Sequence, residues 1–332
     1  MTTDAVRCQA LEMLGYTLRQ AQFLVLVALH GGYFLRRQYV TFTGTAHGQA
    51  AVRFLAHAVA REHVRVLPYG RQGHVFHLYA RPLYAAIGEE DNRNRRGAEW
   101  DAVIRKLMTV DFVLAHATAR FLATEEEKVA LLRERLIPSV VWPHRSYAPR
   151  RPSRPTTTRY FVDKMPWYQD GEDDRIWIAY VDPERTLQGF ETFLDQYRAL
   201  LASVPSGVTY VAPTVWHGVI QNAFTKALEP RDGRIMRRFH DYCELRRTVE
   251  DARSNWSLTL DQRRQYRERC AEFLTPAFDA LYKQFIQTSS ISSTDVDAAA
   301  FPPCLLRVHA LGRRYDPERA TETRTTIEGG VT

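Results

Sequence analysis

The chain is poor in cysteine, and the few cysteines it has are not spaced like metal ligands. The four of them, at positions 8, 243, 270 and 304, lie far apart in 332 residues and form no C-x-x-C or Cys/His pair. This spacing favours reduced thiols, so we expect no zinc or other bound metal. No run of about 18 apolar residues occurs, and the polar N-terminus has no signal-peptide pattern. These absences predict a cytoplasmic protein without a membrane span.

The sequence also lacks the short motifs that mark several large enzyme classes. It contains no G-x-x-x-x-G-K-[ST] loop, no G-x-G-x-x-G after a strand, no H-E-x-x-H and no G-x-S-x-G. Their absence argues against a P-loop nucleotide hydrolase, a dinucleotide-binding enzyme, a zinc protease and an α/β-hydrolase. We therefore expect no cofactor.

Lysine is missing from the first 88 residues, although the segment is basic. It holds nine arginines and only three acidic residues, Asp4, Glu12 and Glu62, which gives it a net charge of +6 against +7 for the whole chain. An arginine-biased segment is typical of a phosphate-binding surface. A solvated surface in which codon usage replaces lysine by arginine is the alternative, and charge alone does not decide between them.

The order of elements in this segment predicts a winged helix. Thr17-Leu18-Arg19-Gln20 is a capping box that opens a buried helix through His30. Residues 35–42 form a short helix, and residues 47–62 form a longer one with an apolar stripe at Val52, Leu55 and Val59. Two strands follow, at 64–67 and 75–78, joined by a hairpin tip at 68–73. In this plan the longer helix enters a DNA major groove.

The predicted DNA-binding residues lie on that helix and around it. Gln49 and Arg53 are one turn apart on its polar face, and their side chains suit adenine and guanine respectively. We expect phosphate or minor-groove contacts from residues in the short helix, at the start of the longer helix and at the hairpin tip: Arg36, Arg37, Thr45, His47, Arg71, Gln72 and His74. Exposed polar residues on a winged helix that binds protein are the alternative. Three nearby histidines, His57, His63 and His77, are expected to pack or face solvent rather than act as ligands.

The rest of the chain predicts a multidomain α+β protein. We divide it into a winged helix (1–88), a helical bridge (89–142), a linker rich in proline and arginine (143–158), an α/β domain (159–230), a helical extension (231–319) and a disordered tail (320–332). Strands are expected at 159–163, 175–181 and 207–212, and helices at 187–203, 214–228, 233–253 and 259–285. Residues 289–300 are expected to be a connector, and 304–311 to add one strand.

A family resemblance accompanies this layout. The run TLRQAQFLVLVALHGGYFLRRQYVTFTG, followed by VDK, YVDPERT and FLDQYRALL, resembles the replication-relaxation proteins of plasmids and integrative elements over residues 10–230. The resemblance implies a winged helix fused to a restriction-endonuclease-like domain. It also implies a role in regulating or maintaining a mobile genetic element.

In nucleases of that fold, two acids and a lysine hold Mg²⁺ and polarise the attacking water. The resemblance implies Asp163, Asp182, Glu184 and Lys164 for these roles. The sequence departs from the pattern, because Arg185 stands where a lysine would be sought and arginine does not readily give up a proton. We therefore predict that Asp182 is a turn residue before Pro183 and that the domain serves in sensing or dimerisation.

The sequence thus predicts a homodimeric protein without enzymatic activity that binds double-stranded DNA with sequence preference, as a transcriptional regulator or maintenance factor. A metal-dependent nuclease and a protein-interaction scaffold are the two alternatives.

Overall fold

The structure, a computed structural model, describes residues 3–44, 48–69, 73–147, 157–171, 174–228, 235–255, 259–300, 304–312 and 315. It is a mixed α+β protein, which confirms the predicted fold class. The division into parts differs from the expected one, because one sheet takes strands from three of the predicted segments. None of the helices in these ranges is long and apolar enough to cross a membrane.

The N-terminal part combines helices with a three-stranded antiparallel sheet. Its elements are α1 (Thr3–Met13), α2 (Leu18–His30), β1 (Tyr33–Leu35), α3 (Arg36–Thr43), α4 (Gly48–Ala60), β2 (Val64–Pro68), β3 (His74–Leu78) and α5 (Arg81–Ala86). Thr17 caps α2 with the predicted reciprocal hydrogen bonds. The strand order is β1-β3-β2. Residues 33–35, expected only as a lead into α3, form β1 because their backbone pairs with β3 from Val75 to His77.

The buried face of α4 differs from the predicted stripe. The helix buries Ala51, Phe54, Leu55 and Ala58, whereas Val52 is 49% exposed and Val59 is 36% exposed. Phe54 is the reason, because its ring packs in an aromatic cluster with rings from α2, β1 and α3. Burying this larger apolar surface stabilises the rotation that turns the two valines outward.

The second part is built on a five-stranded sheet. Its elements are α6 (Trp100–Ala115), β4 (Arg120–Leu122), α7 (Glu125–Glu134), β5 (His144–Tyr147), β6 (Thr157–Tyr160), β7 (Trp167–Gln169), β8 (Ile176–Val181), α8 (Leu187–Leu201), β9 (Ser206–Ala212), α9 (His217–Leu228) and β10 (Leu305–Ala310). The strand order is β10-β9-β8-β7-β4. Strands β8, β9 and β10 are parallel, and β7 is antiparallel to both of its neighbours.

This sheet corrects two predicted boundaries. Strand β4 comes from the expected bridge and β10 from the expected extension, because each pairs with an edge that would otherwise leave its backbone groups unsatisfied. The strand expected at 159–163 ends at Tyr160 and pairs with β5 in a separate hairpin. The two arms of the predicted linker are therefore ordered strands, and its residues 148–156 lie outside the described ranges.

Helices cover both faces of the five-stranded sheet. On one face, α8 and α9 bury Phe190, Leu194 and Phe224 against it. On the other face, α6 packs Leu107 and Phe112 into a cluster that also contains residues of β1 and β3. Helix α6 therefore contacts the main sheet and the N-terminal part at once.

The helical extension has a core of its own. It consists of α10 (Ile235–Asn255), α11 (Leu260–Phe273), α12 (Pro276–Thr288) and α13 (Ser293–Ala300). The helix expected over 259–285 is two helices, because Pro276 lacks the N–H that would continue α11 and begins α12 instead. The expected connector at 289–300 contains α13.

Candidate nucleic-acid interface

Gln49 and Arg53 lie on the outward face of α4. Both are exposed, and neither has a hydrogen bond or ion pair with the part of the chain that the structure describes. The other exposed residues of the helix are small or apolar: Ala50, Val52, Ala56, Val59 and Ala60. No acidic residue occurs in α4. On this outward face, the two long polar side chains therefore extend beyond small or apolar neighbours. Thr45 and His47, which precede the helix, lie outside the described ranges.

Arg36 and Arg37 are adjacent in α3 but differ in what they contact. Arg36 is exposed, and its Nη2 donates to the carbonyl oxygen of Gly48 at the start of α4, at 3.4 Å. Arg37 donates from both terminal nitrogens to the carboxylate of Asp111 in α6, at 2.7 Å each. It also contacts the hydroxyl of Tyr315.

This contact corrects the expected role of Arg37. Its planar guanidinium matches the two oxygens of Asp111, a geometry that charge-assisted hydrogen bonds favour. Burial by itself would raise the pKa of Asp111, but the hydrogen bonds from Arg37 and Tyr315 hold that pKa below its ordinary value. Arg37 therefore fixes α3 to α6 and is not an available phosphate contact.

The β2–β3 hairpin is held to the bridge by a buried histidine. His77 stacks on Tyr33 with ring centroids 4.0 Å apart. Its Nδ1 accepts from Arg65 Nε at 2.9 Å, and its Nε2 lies 3.1 Å from the carbonyl oxygen of Asn94. Burial lowers the pKa of His77 to about 4. The ring is therefore neutral at pH 7, with Nε2–H donating to Asn94.

The other candidates in and around the hairpin include His74 and two packed histidines. His74 is exposed at the start of β3, as expected of a contact residue. Arg71 and Gln72, at the hairpin tip, lie outside the described ranges. His63 is hydrogen-bonded through Nδ1 to the hydroxyl of Tyr16, at 2.8 Å, and the ring of His57 packs against the same tyrosine. These two histidines pack, as predicted.

Two of the nuclease candidates lie beyond the same end of two neighbouring strands in the main sheet. Strands β7 and β8 are antiparallel neighbours, so the start of β7 and the end of β8 meet there. Asp163 precedes β7, and Asp182 directly follows β8.

Asp182 is committed to the structure of its turn. It is 3% exposed, and its Oδ2 accepts from the Tyr210 hydroxyl at 2.9 Å. Its Oδ1 accepts from the backbone N–H groups of Glu184 and Arg185, at 3.1 and 2.8 Å. Burial raises the pKa of Asp182, although these hydrogen bonds oppose the rise. The predicted turn role of Asp182 is confirmed.

The other three candidates do not complete a metal site with it. Asp163 Oδ1 accepts from the Tyr197 hydroxyl at 2.9 Å, and Lys164 Nζ donates to Asn92 Oδ1 at 2.8 Å. Glu184 is exposed. Within the described ranges, no group of three or more His, Cys, Asp or Glu side chains has a metal-binding arrangement.

Comparison with known proteins gives no match: no protein-family model matches the chain, and none was found among curated proteins or solved structures.

Proposed function

We propose that the protein binds double-stranded DNA through a winged helix, with α4 in the major groove and the β2–β3 hairpin beside it. The observation that carries this proposal is the outward face of α4. Gln49 and Arg53 are exposed there without partners in the part of the chain that the structure describes, and the helix contains no acid. These side chains retain all the donors and acceptors that base edges require.

The surroundings of the helix support the same orientation. Small residues at positions 50, 56 and 60 let the α4 backbone approach a groove floor closely. Arg36, beside the start of α4, uses one donor on a neutral carbonyl and retains others for a phosphate. The order of α2, α3, α4 and the three-stranded sheet supports the winged-helix plan on which the proposal rests.

Arg53→Ala tests the base-reading role. Duplexes selected from a random pool by the natural protein provide the target, and equilibrium binding compares single-base variants of it. If Arg53 pairs with guanine, its loss costs roughly 1–3 kcal/mol and relaxes preference at one position. Arg263→Ala in α11 is the matched control, because it removes the same charge from an exposed site remote in sequence. An unchanged base preference in Arg53→Ala would remove Arg53 from the readout.

Arg71→Ala tests the phosphate contact that the sequence predicts at the hairpin tip. A phosphate contact has no base preference, so all duplexes should bind more weakly by a similar factor, and the dependence of affinity on salt should flatten. A loss confined to particular sequences would contradict the backbone role.

A metal-dependent nuclease is the second candidate, favoured by the positions of Asp163 before β7 and Asp182 after β8, at the same end of two neighbouring strands. Plasmid incubated with Mg²⁺ distinguishes the two proposals. We expect no metal-dependent cleavage. Cleavage that disappears in both Asp182→Ala and the exposed-site variant Asp163→Asn would overturn the preference for simple binding.

A protein-interaction scaffold is the third candidate, and it predicts no shift of any duplex. A homodimer is part of the DNA-binding proposal, because a two-fold protein reads a two-fold site. Measuring the mass of the protein–duplex complex tests it. The resemblance in the sequence supports regulation or maintenance of a mobile element as the biological setting.

A further inference from the structure

The outward face of α4 carries an apolar row beside its two polar side chains. Val52, Ala56 and Val59 stand at the i, i+4 and i+7 positions of the helix, and all three are exposed. These three residues are the apolar row, and Gln49 and Arg53 are the polar row. Apolar side chains at this spacing usually face a core, but here the core lies against the opposite side of the helix. The apolar row is therefore free to contact another molecule.

The two rows are neighbours on the helix surface. Residues three and four positions apart in a helix lie side by side, so Val52 lies between Gln49 and Ala56. Ala56 in turn lies beside Arg53, three positions before it. A molecule that pairs with the polar row therefore also covers Val52 and Ala56.

The composition of this face favours nucleic acid over protein as the molecule that covers it. Helix α4 holds no acidic residue, and the first 88 residues carry a net charge of +6, which attracts phosphates. A protein interface of standard size takes roughly 20–30 residues from each partner. Three apolar side chains fall far short of that number, whereas they match the single methyl groups that a DNA groove displays.

An A·T pair displays a polar and an apolar target in the same major groove. Adenine presents N7 and N6, with which a glutamine pairs, and thymine presents O4 and its C5-methyl group. An apolar side chain in contact with that methyl group distinguishes thymine from the other bases. A helix that reads adenine through Gln49 therefore meets thymine methyl groups in the groove that it occupies.

We propose that the apolar row reads thymine, with Val52 and Ala56 covering C5-methyl groups in the major groove while the polar row pairs with base edges. This inference rests on the proposed DNA binding and names the base that the helix selects. The partner is thymine-containing duplex DNA. Duplex RNA does not fit, because uracil lacks the methyl group and side chains cannot read the deep, narrow major groove of an A-form helix.

Replacing thymine by deoxyuridine, one position at a time, in the duplex that the natural protein selects tests the contact. The exchange removes one methyl group and leaves every hydrogen-bonding atom of the base in place. Binding should weaken about fourfold, or about 0.8 kcal/mol, for each methyl group that the protein covers. We expect this loss at one or two thymines and not at the others. The exchange leaves the protein unchanged, so its result does not depend on the folding of a variant.

Val52→Ala assigns the contact to the apolar row. In this variant the deoxyuridine penalty at the contacted thymine should fall below about twofold, because the side chain that covered the methyl group is gone. Val219→Ala in α9 is the matched control. Val219 is 42% exposed, close to the 49% of Val52, and belongs to a helix of the main sheet. The control should keep the fourfold penalty.

The remaining outcomes separate this inference from the proposed function. A selected duplex that loses no affinity with deoxyuridine at any position would overturn the thymine contact alone. A penalty of equal size in Val52→Ala and Val219→Ala would overturn its assignment to the apolar row. Self-association of the free protein that Val52→Ala weakens would assign the row to a second copy of the chain instead. No binding to any duplex would overturn the proposed function, and this inference with it.

Discussion

The outward face of α4 and the turn after β8 differ in whether their polar groups are available to bind a partner molecule. On α4, Gln49 and Arg53 have no partner within the described part of the chain. In the turn after β8, both carboxylate oxygens of Asp182 accept hydrogen bonds, from a tyrosine hydroxyl and two backbone N–H groups. The sequence offered both as functional candidates. The comparison teaches that the partners of a polar side chain, more than its type, separate a recognition residue from a structural one.

Among the polar residues of these two regions, the largest effect on stability is expected at Asp182. Asp182→Ala leaves the Tyr210 hydroxyl and two N–H groups without their acceptor in a buried turn. Removing a charged acceptor from buried donors costs about 3 kcal/mol, and this should appear as a lower free energy of unfolding in urea. Glu184→Ala, two residues away and exposed, should change stability by about 0.5 kcal/mol or less. Equal stability of the two variants would contradict the structural role of Asp182.

The second prediction concerns His77, which links the hairpin to the bridge. Its pKa is about 4 in the folded protein and about 6.5 in the unfolded chain. Between these values the unfolded chain binds more protons, so stability falls as pH falls from 6.5 to 4. The loss is on the order of 2–3 kcal/mol. The measurement is the free energy of unfolding against pH for the natural protein and His77→Gln. Parallel curves would show that His77 does not titrate in this way.

Features determined by neighbouring residues were predicted well from the sequence. The capping box predicted at Thr17 forms, and the same motif forms at Thr124 and Thr259, because each needs only a hydroxyl and an acceptor three residues later. Helix α8 begins at the predicted residue and ends two residues before the predicted end, since its apolar spacing is strong. The exposure of Gln49 and Arg53 also follows from helical periodicity.

Features determined by distant residues were not predicted. Strands β1 and β4 have three residues each, too few to show an alternating pattern, and they form only because another strand is beside them. Arg37 meets Asp111 and Tyr315, which are 74 and 278 positions away. No local pattern reveals such partners. The predicted orientation of α4 was wrong by a partial rotation for the same reason, because the ring of Phe54 packs against rings on other elements.

The third prediction measures the contact that distinguishes Arg37 from Arg36. Arg37→Met breaks the pair with Asp111 and should lower the free energy of unfolding by about 1–2 kcal/mol, less than a fully buried pair because the Arg37 side chain is 36% exposed. Arg36→Met, at an exposed neighbour, should change stability little but weaken DNA binding. A double-mutant cycle with Asp111→Asn isolates the pair. If that cycle showed no coupling energy, Arg37 would again be a candidate phosphate contact.

The smallest effect is expected on the outward face of α4 itself. Val59→Ala should change the free energy of unfolding by about 0.5 kcal/mol or less, because the side chain is already partly in solvent. Leu55→Ala, on the buried face of the same helix, should cost about 2–5 kcal/mol. Urea unfolding of both variants distinguishes the observed orientation from the stripe that the sequence predicts, in which both residues are buried and both substitutions are costly. A large loss in Val59→Ala would turn the outward face inward and leave Gln49 and Arg53 without the surface from which they are proposed to read DNA.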